Sequence, residues 1–192
     1  MFGQMFSDID KTAAVLQWGV VIGASLAAAI SDLRTRRIPN RLTFPVLLTG
    51  LVWAVWTNGM TGLAEAAGAC FVVSLPFVLL FLFGNGGAGD AKLMGAIGAW
   101  LGWSQGITVL FCVVIAGIVL SVIKAATRGR LKSVLRNVFI SVYNFILFIL
   151  FHRANHNVIG QGNIIVEPSG LVIPYGTAIF AGVCAAGGMA LL

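Results

Sequence analysis

Residues 13–41 read AAVLQWGVVIGASLAAAISDLRTRRIPNR, an apolar run that ends in an aspartate and a cluster of arginines. The apolar part is long enough to cross the hydrocarbon core of a bilayer as a helix, which takes about 20 residues. A secretory signal peptide carries its positive residues before the apolar core, whereas here Arg34, Arg36, Arg37 and Arg41 come after it. The stretch therefore predicts a retained first transmembrane helix whose N-terminus lies outside the cytoplasm.

The composition of the whole chain agrees with a membrane location. Of its 192 residues, 59% are hydrophobic and 9% are charged, whereas a soluble domain is about a quarter charged. The net charge is +6, but the basic residues lie in short runs between apolar segments rather than on a polar surface that could follow a phosphate backbone. We therefore expect one membrane-embedded domain, residues 1–192, that contacts lipids and does not bind nucleic acid.

The apolar segments predict an all-α fold with about six transmembrane helices. The sequence GWSQG at 102–106 is a turn signal that divides the apolar stretch between Lys92 and Lys124 and places both lysines on one side of the membrane. Segment 137–151 is short and flanked by basic residues, which predicts an interfacial or re-entrant helix. The six predicted spans are 13–31, 42–57, 63–83, 91–103, 106–123 and 172–192.

The positive-inside rule orients this arrangement, because cytoplasmic loops collect lysine and arginine. Lys11 is the one basic residue predicted outside, so that both termini are expected outside the cytoplasm. Asp32, Asp90 and Pro174 then all fall at the inner face of the membrane. The basic residues predicted inside are Arg34, Arg36, Arg37, Arg41, Lys92, Lys124, Arg128, Arg130, Lys132, Arg136 and Arg153.

Two carboxylates stand out because an ionised side chain at the edge of hydrocarbon is costly, about 3 kcal/mol on insertion scales, and is a functional candidate by default. Asp32 ends the first predicted helix and Asp90 begins the fourth, whereas the other four acidic residues are predicted in loops or outside the bilayer. Two carboxylates at one membrane face can hold a water between them and share one proton, so that one acts as base and the other as acid. The helix N-terminus at Asp90 favours a negative charge, which suggests Asp90 as the anionic partner.

Three motifs around these residues resemble those of the type IV prepilin peptidases, a family of GxGD-type intramembrane aspartyl peptidases. Residues 31–40, SDLRTRRIPN, are similar to the family's first aspartate motif, in which basic residues and then Ile-Pro-Asn follow the aspartate. Residues 87–93, GAGDAKL, resemble the Gly-x-Gly-Asp signature with its lysine, and 174–176, PYG, resembles the motif of the last helix. The resemblance covers nearly the whole chain.

The resemblance implies a catalytic pair, a substrate and a location. It implies that Asp32 and Asp90 cleave the leader of a prepilin or pseudopilin at the cytoplasmic face of the bacterial inner membrane, next to pilus-assembly or secretion machinery. The short chain looks most like the peptidases of Flp-type, tight-adherence pili; without the cysteine-bearing insertion of larger members, we expect no methyltransferase activity, metal or cofactor. The substrate-binding or supporting residues are Gly87, Gly89, Lys92, Pro39, Asn40, Pro174, Tyr175 and Gly176.

Other interpretations of the same residues compete with this one. Asp90 alone could be a helix N-cap after a glycine loop, and Asp32 a surface partner of Arg34 or Arg36. A small transporter or proton-relay protein also keeps carboxylates in the membrane, although its site should lie at the midplane. An inactive pilus-assembly factor is the third alternative.

Aromatic residues near the predicted outer helix ends have an ordinary structural interpretation. Tryptophan is enriched at membrane–water interfaces, where its ring sits at headgroup level. We therefore expect an aromatic belt. Its members are Trp53, Trp56, Trp100 and Trp103.

Overall fold

The computed structural model describes residues 2–83, 87–127 and 175–191, and every secondary-structure element assigned within them is an α-helix. The all-α prediction is therefore confirmed for this part of the chain. The predicted interfacial helix at 137–151 and Pro174 lie outside the described residues. The helices are α1 (Phe2–Thr35), α2 (Asn40–Phe83), α3 (Ala88–Thr127) and α4 (Tyr175–Leu191).

Three of these helices are long and apolar enough to cross a membrane: α1 from Thr12, α2 and α3. Helix α4 is apolar but shorter, at 17 residues. The polytopic membrane character predicted from composition is thus confirmed, while the count of six spans stays a prediction. The chain forms two compact units, the first made of Met1–Ile118 with Pro174–Leu192 and the second of Val119–Ile173.

Helices α2 and α3 are each interrupted by one glycine at which the chain reverses. Gly59 has φ 63° and Gly102 has φ 68°, a left-handed region that residues with a Cβ enter only at a cost. A Cβ placed on Gly106 would lie 3.6 Å from the Cα of Gly98, although eight residues of straight helix would separate them by about 12 Å. The break at Gly102 falls in the predicted turn, and the break at Gly59 falls between two predicted spans.

Helix α1 ends in a compact turn just after Asp32. Arg36 adopts a positive φ of 53° and its N–H donates to the Asp32 carbonyl at 2.8 Å, which is the usual left-handed termination of a helix, here without glycine. The hydroxyls of Ser31 and Thr35 both donate to the Arg37 carbonyl, at 2.9 and 3.1 Å. Side chains of α1 thereby fix the direction in which the chain leaves the helix.

The core of the first unit forms where α1, α2, α3 and α4 meet. Helix α4 lies close to its neighbours because glycines face them: a Cβ on Gly182 would be 2.5 Å from the Val113 backbone in α3, and one on Gly187 would be 3.1 Å from the Trp18 ring in α1. Small residues allow this approach between helices in a membrane. The largest fully buried side chains are Trp18, Leu93, Met94, Ile97, Ile179, Val21, Val73, Val109, Val183, Thr43 and Ser25.

The aromatic-belt prediction is wrong for Trp100, which is a core residue with 6% of its surface exposed. Its ring stacks on half-buried Trp53 at a centroid distance of 5.9 Å, and its Nε1–H donates to the Val46 carbonyl at 2.8 Å. Trp56, in contrast, is 85% exposed, as expected of a residue that faces lipid or headgroups. Sequence position alone does not separate a tryptophan at the surface from one that joins helices.

Candidate active site

Asp32 is buried three residues before the end of α1 and is tied to the start of α4. Only 8% of its surface is exposed, and its Oδ2 accepts a hydrogen bond from the backbone N–H of Gly176 at 2.8 Å. A Cβ on Gly176 would lie 2.9 Å from the Cβ of Asp32 and 3.3 Å from the Cα of Ala29, so α4 reaches this position through a residue without a side chain. The predicted supporting residue Gly176 is thus in direct contact with one predicted catalytic residue.

Asp90 lies in the first turn of α3, with 7% of its surface exposed. Its N–H donates to the Gly87 carbonyl at 3.1 Å, and its Oδ2 lies over Gly87, 2.7 Å from where a Cβ would be. Because real Cβ atoms do not approach this closely, any side chain at position 87 would displace the carboxylate. Gly87, another predicted supporting residue, leaves room for the conformation of Asp90.

The two carboxyl groups belong to different helices and to the same end of the first unit. They are close enough to interact electrostatically, and Tyr175, at the start of α4, is also within electrostatic range of Asp90. Two neighbouring carboxyl groups at one site can share a proton, because the charge of one disfavours ionisation of the other. Such a pair provides one group that can take a proton from water and one that can give a proton.

The turn between α1 and α2 contacts the start of α3 beside the carboxylates. A Cβ on Gly89 would be 2.8 Å from the Cβ of Ile38 and 3.2 Å from its carbonyl oxygen. The carbonyl of Pro39 accepts the N–H of Leu42 at 3.0 Å and so begins α2. Gly89 therefore has no side chain because the packing of this turn leaves no room for one.

A polar contact between two predicted supporting residues joins the same elements. The Nζ of Lys92 donates to the Oδ1 of Asn40 at 2.9 Å, linking the first turn of α2 to α3 across 52 residues of sequence. Both residues are exposed, so the bond is in contact with solvent or headgroups. Its geometry indicates that Lys92 positions the turn.

Sequence reasoning missed the residues that hold Asp32 in place from its own helix. Ser31 and Thr35 close the end of α1 through their hydroxyls, and the pattern of a serine and a threonine around the last helical turn was the available signal. Within the described residues, no group of three or more His, Cys, Asp or Glu side chains converges as a metal site would require.

A cavity of about 110 Å³ lies at the other end of the helices. It is lined by Gln17 of α1, by Glu65 and by the Trp53–Trp100 pair, and Gln17 Nε2 donates to the Trp100 carbonyl at 3.2 Å. Gln17 and Asp32 are 15 residues apart on one helix, about 22 Å along its axis. Glu65 lies in α2 beside Gly102 rather than in a loop, and it is remote from the two aspartates.

Helices able to cross a membrane, with two buried carboxylates brought together at one end, define a helical membrane protein with a paired-carboxylate site. The chain belongs to the type IV leader peptidase family, whose sequence profile matches residues 19–122. This range includes both aspartates, and the family resemblance seen in the motifs is confirmed.

Individual relatives carry the name prepilin leader peptidase/N-methyltransferase. The chain is 32% identical to the one from Burkholderia pseudomallei strain 1026b over 126 residues, which are 62% of this chain and 40% of the relative. It is 29% identical to that of Escherichia coli K12 over 115 residues, 55% of this chain and 49% of the relative. It is 36% identical to that of Aeromonas hydrophila over 98 residues, 47% of this chain and 32% of the relative.

The matched region thus spans less than half of the length of each of these relatives. No solved structure gave a significant match to the chain.

Proposed function

We propose that this protein is an intramembrane aspartyl endopeptidase of the bacterial inner membrane that removes the leader peptide of prepilins or pseudopilins, with Asp32 and Asp90 as the catalytic pair. The observation that carries the proposal is the burial of two interacting carboxylates at one end of the helices. One of them is bound by the backbone of the last helix. Family membership supports the same activity.

The position of the pair favours a peptidase over a transporter or proton relay. Asp32 lies at the end of α1 and Asp90 at the beginning of α3, so both occupy helix ends rather than helix centres. A transport site is expected near the bilayer midplane, where carriers bind their ions and substrates. A peptide bond that approaches from the aqueous phase reaches helix ends without passing through hydrocarbon.

The topology we propose has six spans, with the pair at the cytoplasmic face and both termini outside. The reversals at Gly59 and Gly102 support it, because each divides one long helix into two antiparallel parts. Eleven of the twelve lysines and arginines then lie inside. In this arrangement Lys92 and Asn40 face the cytoplasm, beside the entrance to the pair.

The substrates we propose are precursors of Flp-type pilins, each with a leader that ends in glycine and an apolar helix after the cleavage site. A glycine before the cut leaves space against the buried carboxylates, and the apolar helix would lie in the bilayer next to the enzyme. Pilus-assembly or secretion machinery would receive the product. The residues proposed to support substrate or site geometry are Gly87, Gly89, Lys92, Pro39, Asn40, Pro174, Tyr175 and Gly176.

The test is to express this protein with a candidate Flp pilin precursor and to measure the pilin mass. We expect Asp32→Asn and Asp90→Asn each to abolish processing, because the reaction needs both an acid and a base. Both variants should still insert into the membrane. Glu65→Gln is the matched control: it neutralises a carboxylate of the same unit at the other end of the helices, and processing should continue at the normal rate.

Mature pilin produced at a normal rate by either aspartate variant would exclude that residue from catalysis. Loss of processing in the Glu65→Gln variant as well would show that the protein fails whenever a carboxylate of this unit is neutralised. The effect of the Asp32 and Asp90 variants would then no longer indicate catalysis.

A further inference from the structure

We propose that Thr43 is a substrate-binding residue, whose hydroxyl donates a hydrogen bond to a backbone carbonyl of the precursor just after the cleaved bond. The proposal rests on the proposed peptidase function and adds a contact to it. Thr43 lies outside the three motifs that single out the aspartates and the last helix. The structure draws attention to it because its hydroxyl is buried without a partner.

The Thr43 side chain is one of the most deeply buried polar groups of the first unit. Only 2% of its surface is exposed, and among the residues that the structure describes its Oγ1 has no hydrogen-bond partner. Such a hydroxyl is costly, because it has lost its bonds to water and gained none in return. Folded proteins contain few groups of this kind, and a role in binding or catalysis is one reason for keeping one.

The start of α2 explains why this hydroxyl has no local acceptor. A threonine inside a helix usually donates to the carbonyl three or four residues before it, as Thr49 does to Pro45 and Val46 at 2.8 and 3.1 Å. For Thr43 the carbonyl four residues before is that of Pro39, which already accepts two backbone N–H groups at 3.0 and 3.4 Å. Both lone pairs of that oxygen are therefore used. The hydroxyl remains available to a group from outside the helix.

Thr43 belongs to the aspartate end of the first unit. It follows Asn40 by three residues, about 4.5 Å along the helix axis. Asn40 accepts a hydrogen bond from Lys92, which is two residues beyond Asp90 in α3. The first turns of α2 and α3 are therefore neighbours. Because α2 runs away from this end, Thr43 lies further into the bilayer than the pair in the proposed topology.

The proposed substrate supplies an acceptor at this depth. Its apolar helix begins after the cleavage site, and the helix has to open there for the scissile bond to become accessible to water. Opening releases backbone carbonyls from their helical partners, and an unpaired carbonyl inside the membrane costs free energy. The Thr43 hydroxyl can satisfy one of them. No bond inside the protein is broken when this one forms, so the gain exceeds that of an ordinary exchange of partners.

Substrate entry would uncover the hydroxyl together with the pair. Asp32 and Asp90 are 8% and 7% exposed, so a peptide reaches them only when the surrounding elements move apart. Separation of the start of α2 from the start of α3 would expose Asp90 and Thr43 from the same side. The proposed order is therefore that the precursor first opens this gap and then bonds to Thr43.

The experiment replaces the hydroxyl by a methyl group of similar size in Thr43→Val. We expect kcat/KM for precursor cleavage to fall about tenfold, mainly through a higher KM, because a contact to bound substrate is lost. We also expect the Tm in detergent to rise, because the unpaired hydroxyl is gone. A residue with a purely structural role would not raise stability and KM together. Thr43→Ser keeps the hydroxyl and should keep the original KM.

The matched control is Thr49→Val, which removes a hydroxyl of the same helix that is bonded to its own backbone. It should leave KM unchanged. An original KM in Thr43→Val would overturn the proposal. So would a lower Tm in that variant, because it would mean that a water or another group already satisfies the hydroxyl in the resting protein.

A second measurement needs no catalysis. The precursor is bound to protein carrying Asp32→Asn and Asp90→Asn, with and without Thr43→Val, in lipid nanodiscs. We expect Thr43→Val to raise the Kd about tenfold, and an unchanged Kd overturns the proposal. If the original protein fails to cleave while the Kd shift is found, the proposed function fails and the contact survives. If it cleaves and Thr43→Val matches it in KM and Kd, only the contact fails.

Discussion

The two ends of the first unit are built from similar residue types but in different ways. At one end, Asp32 and Asp90 are buried and surrounded by glycines and backbone groups. At the other end, Glu65 lines an open cavity together with stacked tryptophans. On the proposed function, a cavity is a poor guide to the reacting groups, and the closely packed end would carry the chemistry, because burial of like charges is what makes a carboxylate act as acid or base.

We expect the largest loss of cleavage rate when one methyl group is added at the aspartate end. Gly89→Ala would place a Cβ 2.8 Å from the Cβ of Ile38, so the turn before α2 and the start of α3 must move apart. A displacement of this size beside reacting groups costs about 100-fold in rate. The measurement is the rate of precursor cleavage by purified protein.

Its control is Gly23→Ala, which meets nothing within 4 Å and improves helix propensity. This variant should cleave at the normal rate. Equal rates for the two variants would mean that the aspartate end tolerates movement, and the contrast between the ends would be lost.

The second effect concerns stability at the opposite end. Trp100→Phe removes the Nε1–H bond to Val46 and part of the stacked ring, which we expect to lower the free energy of unfolding by about 1–2 kcal/mol. Because Trp100 is ten residues along α3 from Asp90, kcat of the folded protein should not change. Reversible unfolding in detergent and a single-turnover assay check the two parts.

Trp56→Phe is the matched change at an 85% exposed position, with an expected effect within about 0.5 kcal/mol. A fall in kcat for the Trp100 variant would show that the two ends are coupled.

The smallest effect is predicted for the exposed bond between Asn40 and Lys92. Asn40→Ala, Lys92→Ala and the double variant form a cycle whose coupling energy should be below about 1 kcal/mol, because an exposed polar pair gains little over its hydration. Unfolding of the four proteins under one condition gives the value. A coupling energy above about 2 kcal/mol would mean that the bond is shielded from water and stabilises the aspartate end as a buried contact does.

The sequence predicted the elements of the site better than their contacts. Apolar run lengths and turn signals predicted the all-helical membrane class and the reversal at Gly102, because both depend on local chemistry. The motifs at residues 31–40 and 87–93 singled out Asp32 and Asp90, and the structure buries both. Contacts between residues far apart in the sequence could not be predicted from local chemistry: the residues joined by the bond from Gly176 to Asp32 are 144 positions apart.

Two residues show what a linear sequence omits. Trp100 was predicted to anchor the protein at the interface, but it is packed against Trp53, because the neighbour of a helix face is decided by tertiary structure. Gly89 stands in a recognisable glycine motif, but the motif does not reveal that Ile38 lies where a Cβ of residue 89 would be. In each case the sequence drew attention to the residue but did not reveal which residue it packs against.

The backbone of Arg36 has a consequence for the biogenesis of the protein. An L-residue in the left-handed region costs roughly 1–2 kcal/mol, and glycine would avoid that cost at this helix end. On the proposed topology, however, glycine would also remove one of the positive charges that keep this loop from being translocated during membrane insertion. The mature fold and the nascent chain thus make opposite demands on position 36, and the arginine found there meets the demand of the nascent chain.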